Sequence, residues 1–237
     1  MSVAEILSGL FPGGHTVREE GGLLLGEGRA PGGDVAVVGV TGGTEVGVEH
    51  ALLLAREVLS VVRDRPARPL LVLLDSRGQR MSRRDEILGL NGYLAHLASC
   101  LELARQRGHR VLALLTGDAA SGSALALGFV ADEVHALPEA NPWVMSLPAM
   151  SRVTKIPLAR LEELSRDSAV LAPGLEPFLR IGAVSSVWRP PLAAPLAAAL
   201  ERPPGPDRRA SLGRERGGRP LAARVVDLVS GVTSSGS

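Results

Sequence analysis

Cysteine and lysine are nearly absent from this chain of 237 residues: Cys100 and Lys155 are the only representatives of their types. One thiol cannot form a disulfide within the chain or build a cysteine-rich metal site, and its setting in "YLAHLASCLELARQ" places it on the buried side of a helix. Lys155 stands beside 25 arginines, a bias that fits a G+C-rich genome, so abundant arginine by itself is weak evidence for phosphate binding. No charge of either sign dominates, with 26 basic against 25 acidic residues, and nothing in that balance calls for nucleic acid or a membrane surface. No segment approaches the roughly 18 consecutive apolar residues of a membrane span, and "MSVAEILSGLFPGGH" lacks the charged and apolar regions of a secretion signal; a cytoplasmic protein is expected. No histidine follows His135.

What is present is a globular α/β composition, 45% apolar, long enough to bury roughly 70% of its unfolded surface. Strand-like apolar runs occur at 34–43, 68–78, 109–118 and 132–140, and helix-like runs at 48–64, 83–108 and 121–131. Their apolarity is continuous rather than alternating, which predicts strands buried on both faces of a largely parallel sheet with helical crossovers. A spiral of ββα units fits this order, and so does a doubly wound sheet. Against a dinucleotide site, "VTGGTEVGVE" lacks the G-x-G-x-x-G fingerprint. From about residue 190 the chain turns rich in Pro, Arg and Gly. We divide it there into a domain at 1–190 and a C-terminal region at 191–237, with a peripheral arm, a short amphipathic helix at 221–229 and a loose tail.

Small residues crowd one strand-to-helix junction, "GDAASGSALALG" at 117–128. They fit a serine nucleophile, an open helix start whose N–H groups hold an anion, or a tight packing corner. The nucleophile elbow G-x-S-x-G fails, because Ala119 and Ser123 stand at its glycine positions. "AAS" at 119–121 also resembles the serine of Clp-type peptidases, and 137–148 resembles the strand carrying their histidine, but this chain reads Val144-Met145-Ser146-Leu147-Pro148 there. A hydroxyl without a base is a poor nucleophile. His135, alternating with Val134 and Ala136, reads as structural.

The anion-binding reading fares better, since small side chains leave the backbone N–H groups of a helix start approachable. A second such turn, Asp75-Ser76-Arg77-Gly78-Gln79, follows the preceding strand, and a parallel sheet would set both turns at one edge. Together "DSRG" and "TGDAASGSALALG" resemble the carboxyltransferase branch of the crotonase superfamily. Residues 136–188, with the "SRVTK" segment, are most similar to the gamma subunit family of biotin-independent malonate decarboxylase, and the likeness spans about residues 15–230. Arg77 replaces a usual proline and Ala119-Ala120 a glycine pair, changes that bear on whether biotin is accommodated.

The resemblance implies a crotonase-like spiral of ββα units. It also implies a decarboxylase (carboxy-lyase) subunit acting on a malonyl thioester, which is carried by an acyl carrier subunit with a CoA-like prosthetic group. The active site would be shared with a beta-type partner, and this chain would bind no cofactor of its own. Decarboxylation leaves an enolate whose charge sits on the thioester oxygen, and backbone donors stabilise it without any nucleophile. The candidate donors are Gly78, Gln79, Ser121, Gly122 and Ser123. Arg77, Arg80, Arg152 and Lys155 are candidate contacts to substrate or carrier, whereas Arg83 and Arg84 read as a solvated helix start. No residue grouping has metal-ligand spacing. A biotin- or acyl-CoA-dependent carboxyltransferase subunit and a non-catalytic scaffold completing the partner's pocket are the competing readings.

Overall fold

The computed structural model describes the chain apart from residues 169–171, 204, 219 and 232–237, and the expected loose tail falls largely on that last stretch, outside the described residues. After α1 (Val3–Leu10), β1 (Arg18–Glu20) and β2 (Leu23–Ala30) lead into β3 (Gly33–Val40), and α2 (Val48–Asp64) crosses to β4 (Leu70–Ser76). Helices α3 (Arg83–Leu88) and α4 (Leu90–Gln106) precede β5 (Val111–Ala120), then come α5 (Ser121–Leu127), β6 (Glu133–Ala136) and β7 (Asn141–Trp143). The remainder is α6 (Leu147–Thr154), α7 (Leu158–Asp167), α8 (Leu175–Arg180), β8 (Ser186–Val187), α9 (Ala193–Glu201), α10 (Arg209–Glu215) and α11 (Pro220–Ser230). The strands form one sheet in the order β1-β2-β3-β4-β5-β6-β8, with β7 added to the end of β5. From β3 onward every pairing is parallel, while β1, β2 and β3 form an antiparallel meander.

The continuous apolar runs bury both faces, as expected. Leu70, Val72 and Leu74 of β4 and Val111, Ala113 and Leu115 of β5 face α2, α4 and α5. Their neighbours Leu71, Leu73, Leu112 and Leu114 face α1, Phe11 and Trp188, together with Leu196 and Ala199 of α9. Each such leucine stabilises the fold by roughly 1.5–3 kcal/mol through burial. Phe11 reaches its place only because residue 28 is glycine, where a Cβ would stand 2.3 Å from the ring.

Three expectations need correction. The run at 83–108 is two helices, because Gly89 takes a left-handed conformation (φ 76°) that ends α3 and opens α4. Residues 137–148 are not one strand: β7 stops at Trp143 and Ser146 caps α6, its hydroxyl accepting the Ala149 N–H. The strand expected at 132–140 is only the four-residue β6. Cys100 and His135 are buried as the sequence implies, and His135 stacks on Trp188 with ring centroids 4.4 Å apart.

Candidate active site

Because β3, β4 and β5 run parallel, the turns at their carboxyl ends meet at one edge. Asp75 joins them: one carboxylate oxygen accepts the Gly43 N–H at 3.0 Å and the other the Asp118 N–H at 2.9 Å. That carboxylate also explains a glycine in the small-residue cluster, since a Cβ on residue 117 would lie 2.5 Å from it. Ser76, fully buried, sews the second turn to the third. Its hydroxyl donates to the Thr44 carbonyl (2.8 Å), accepts the Gly78 N–H (3.1 Å) and lies 3.1 Å from the Ser123 hydroxyl. Asp75 and Ser76, which the sequence placed in the second turn without a role, thus tie the three turns together. The only available signal was a carboxylate and a hydroxyl at the polar end of an apolar strand.

The structure divides the cluster at 117–123. Gly117, Ala119, Ala120 and Ser123 form a packing corner: both alanines and Ser123 are fully buried, and the Ser123 hydroxyl donates to the Ala120 carbonyl. Ser121 and Gly122 are half-exposed. Ser121 adopts a left-handed backbone (φ 55°), rare outside glycine, and its hydroxyl donates to the Val144 carbonyl at 2.8 Å. No histidine ring bonds that hydroxyl among the described residues: the rings of His50, His96, His109 and His135 meet Glu45, Cys100, Arg68 and Ser186, and His15 lies in a backbone bridge to Gly28. A charge-relay serine is thereby removed from consideration.

Gly78 (φ 114°) brings the second turn against the third, the site of a Cβ on it lying 3.5 Å from the Ser121 Cβ. Its N–H is committed to Ser76, but the next residue differs. The Gln79 backbone is held by a short ladder with Val46, through Val46 N–H to Gly78 O and Arg80 N–H to Val46 O, both 2.9 Å. The Gln79 N–H itself has no acceptor among the described residues. Gly122 N–H meets the Gln79 side-chain oxygen at 3.1 Å. Beside these two amides lies an apolar cleft of about 470 Å³ between α4 and α5, walled by Leu90, Leu94, Ala98, Leu125 and Ala126.

The cationic candidates separate into two groups. Arg77 is 70% exposed at the rim, 3.8 Å from Asp118. Arg80 turns away, held by the buried Asp85 (2.6 Å) and by Glu49 (2.9 Å). Hydrogen bonds from Arg80, from the Ser82 hydroxyl and from the Val48 N–H keep Asp85 well below the usual carboxylate range. Arg80 therefore fixes the turn, and Arg84 joins it through Glu49 rather than standing in solvent alone. Arg152 is an exposed residue of α6, and Lys155 is that helix's left-handed C-cap (φ 62°); neither lines the cleft at Gln79. The segment leading to their helix is tied to the third turn by the β7–β5 pairing, by Asn141 Nδ2 to Asp118 (3.2 Å) and by the Ser121–Val144 bond. Among the described residues no group of three or more His, Cys, Asp or Glu is arranged to hold a metal ion, and no helix is long and apolar enough to cross a membrane.

The model of a family described as malonate decarboxylase gamma subunit matches residues 41–233. The chain belongs to that family. As a gamma subunit it is similar to the malonyl-S-ACP:biotin-protein carboxyltransferase MADD of Malonomonas rubra, 29% identical over 206 residues, covering 78% of this chain and 70% of that one. It is also similar to a Pseudomonas malonate decarboxylase MdcD-MdcE hetero-dimer, at 26% identity and a TM-score of 0.75, covering 96% of this chain and 97% of that one. A Pseudomonas malonate decarboxylase hetero-tetramer in complex with coenzyme A shares the fold with a TM-score of 0.81 at 24% identity, over the same shares of the two chains. The gamma subunit is thus a malonate decarboxylase component with the crotonase-like α/β fold expected from its two turn motifs.

Proposed function

We propose that this gamma subunit takes part directly in the decarboxylation of a malonyl thioester, with Gln79 N–H and Gly122 N–H as its donors to the thioester oxygen. The observation that carries the reading is their juxtaposition at one sheet edge: two amides from different turns, one without an acceptor among the described residues and one held by the Gln79 side chain. The bond to the terminal carboxylate breaks, carbon dioxide leaves, and its electron pair moves onto the thioester to give an enolate. A proton then reaches carbon, and the acetyl thioester is formed. Donors preset on the oxygen stabilise the enolate more than the neutral thioester. Gly78 and Ser123 hold the geometry, and Ser121 ties it to the loop before α6. Arg77 meets the substrate carboxylate or the carrier's phosphates at the rim, and Arg152 and Lys155 contact the carrier or partner.

An acyl carrier with a CoA-like group presents the substrate, and a beta-type subunit closes the site. In support, the MADD relative acts on malonyl-S-ACP and the Pseudomonas structures are hetero-oligomers, one with coenzyme A. The MADD likeness also favours a second reading, in which biotin accepts the carboxyl group after the same enolate-forming step. The assembled complex, given malonyl carrier protein without biotin, is expected to release carbon dioxide; strict dependence on a biotin protein would replace the first reading with the second. Gly122→Val tests the donor itself. The nearest atoms to a Cβ there are the Gln79 Oε1 at 3.3 Å and a Leu94 methyl at 3.9 Å, ends of side chains that can give way, so the fold accommodates it while the added methyls cover the N–H. Turnover is expected to fall about 100- to 1,000-fold, as for loss of an oxyanion donor, with the complex intact. Unchanged turnover would make this chain a scaffold.

A further inference from the structure

The side chain of Gln79 sets its own carbonyl on one of the two proposed donors. Its Oε1 accepts the Gly122 N–H at 3.1 Å, the only contact holding that carboxamide among the described residues. Backbone movement of Gln79 is restrained by the Val46 ladder on both sides, so the freedom of this residue lies in its side chain. The half-exposed side chain borders the 470 Å³ cleft and has room to swing into it.

A carboxamide oxygen resembles a thioester oxygen in being a neutral carbonyl acceptor. We propose that Gln79 is a positioning residue whose carboxamide occupies the Gly122 N–H in the empty site and yields it to the substrate oxygen. This rests on the donor reading given above. The placeholder satisfies this half-exposed amide while the site is empty. Against the ground-state thioester it competes on nearly equal terms, neutral oxygen for neutral oxygen. As negative charge develops on the substrate oxygen, its bond to the same N–H becomes charge-assisted and about twice as strong, and Gln79 no longer competes. Displacing the carboxamide costs the ground state and the transition state the same, so the exchange raises KM and leaves the chemical step nearly unchanged.

The test uses the assembled decarboxylase with malonyl-S-acyl carrier protein as the probe, comparing Gln79→Ala and the equally long but acceptor-free Gln79→Met. Removing the competitor is expected to lower KM about two- to tenfold, the range for one net hydrogen bond, with a smaller change in kcat. A residue serving only to support α5 would instead raise KM or lower kcat when lost. KM unchanged or raised in both variants overturns the placeholder role. The outcome is separable from the donor reading: active Gly122→Val means that reading has failed, whereas inactive Gly122→Val with no fall in KM for the Gln79 variants removes the placeholder alone.

Discussion

The two ends of β5 carry two polar clusters built on different plans. At its start, beside Leu112, Glu133 of β6 is held by Arg110 (2.6 Å) and Arg202 (2.6 Å) and lies 3.3 Å from the buried His135 ring, which bonds Ser186. At its finish, beside Ala119, uncharged Ser76 and Ser123 fasten backbone turns. In the first cluster the Glu133 carboxylate is met by arginine side chains, and the buried Arg110 Nε and His135 Nε2 are left without a hydrogen-bond partner among the described residues. The second meets its amides with the Asp75 carboxylate, the Ser76 hydroxyl and one carboxamide, and leaves the Gln79 N–H without an acceptor among the described residues. In the first cluster a carboxylate serves arginine side chains, whereas in the second the acceptors serve backbone N–H groups and hold the turns that carry them. The catalytic reading proposed above falls on the second.

Glu133→Gln breaks this contrast most strongly. Removing one partner of a largely buried ion network leaves Arg110 and Arg202 short of a counter-charge. A loss of about 3 kcal/mol is expected, the low end for such a change because a fifth of the Glu133 side chain remains exposed. Denaturant unfolding of the wild type and variant measures it, while KM in the assembled enzyme stays put. The same cluster predicts a pH dependence. Burial opposes the Glu133 charge, yet the neighbouring His135, Arg110 and Arg202 outweigh it and pull its pKa to about 2. Burial likewise lowers the His135 pKa against the attraction of Glu133. Both depressed values give stability that is full above the unfolded-state pKa and declines with acidification, first as unfolded histidine protonates below about pH 6.5, then between about pH 4.5 and 2. A melting temperature flat across that range would contradict the assignment.

Ser76→Ala probes the other cluster with a smaller expected loss, about 1–3 kcal/mol for leaving the buried Gly78 N–H unpaired. Here the signature is catalytic, since kcat should fall by more than the Glu133 variant's while unfolding is less affected. Arg77→Ala is the smallest perturbation: an exposed arginine 3.8 Å from Asp118 contributes under about 1 kcal/mol of stability, so an effect confined to KM for the carrier substrate is expected. Equal KM in variant and wild type would remove Arg77 from the binding rim.

Sequence legibility followed the same division. Continuous apolar runs revealed β3 to β5, and α2 was readable at Val48–Asp64 because its buried residues recur at helical spacing. The crotonase-like fold was recognisable from two turn motifs. The early meander was not, because β1 is exposed along its length and β2 is interrupted by Gly26 and Gly28, so neither shows a clean period. The helix-like run at 83–108 hid its break, since only the left-handed backbone at Gly89 divides it. At the candidate site, proximity of the turns was legible from parallel strand order. Which N–H remains unpaired was not, since it depends on Ser76, Asp75 and Gln79 reaching across to other turns. Arg80 was misjudged for a similar reason: its carboxylate partners lie five and thirty-one residues away.

β5 pairs in even register with β4 over Val111–Leu115 and with β6 over Leu112–Leu115, shifts its register against β4 before Ala119, and pairs with β7 over its last three residues. A strand can shift only in steps of one residue, about 3.3 Å, and each step exchanges its two faces. A hydrogen bond tolerates an error of about half an ångström. Misplacement of the first half of β5 along the strand direction is therefore quantised, and the smallest available error already turns Leu112 and Leu114 onto the wrong side of the sheet; what remains for the end that leads to Gly122 is fixed by the single register shift before Ala119.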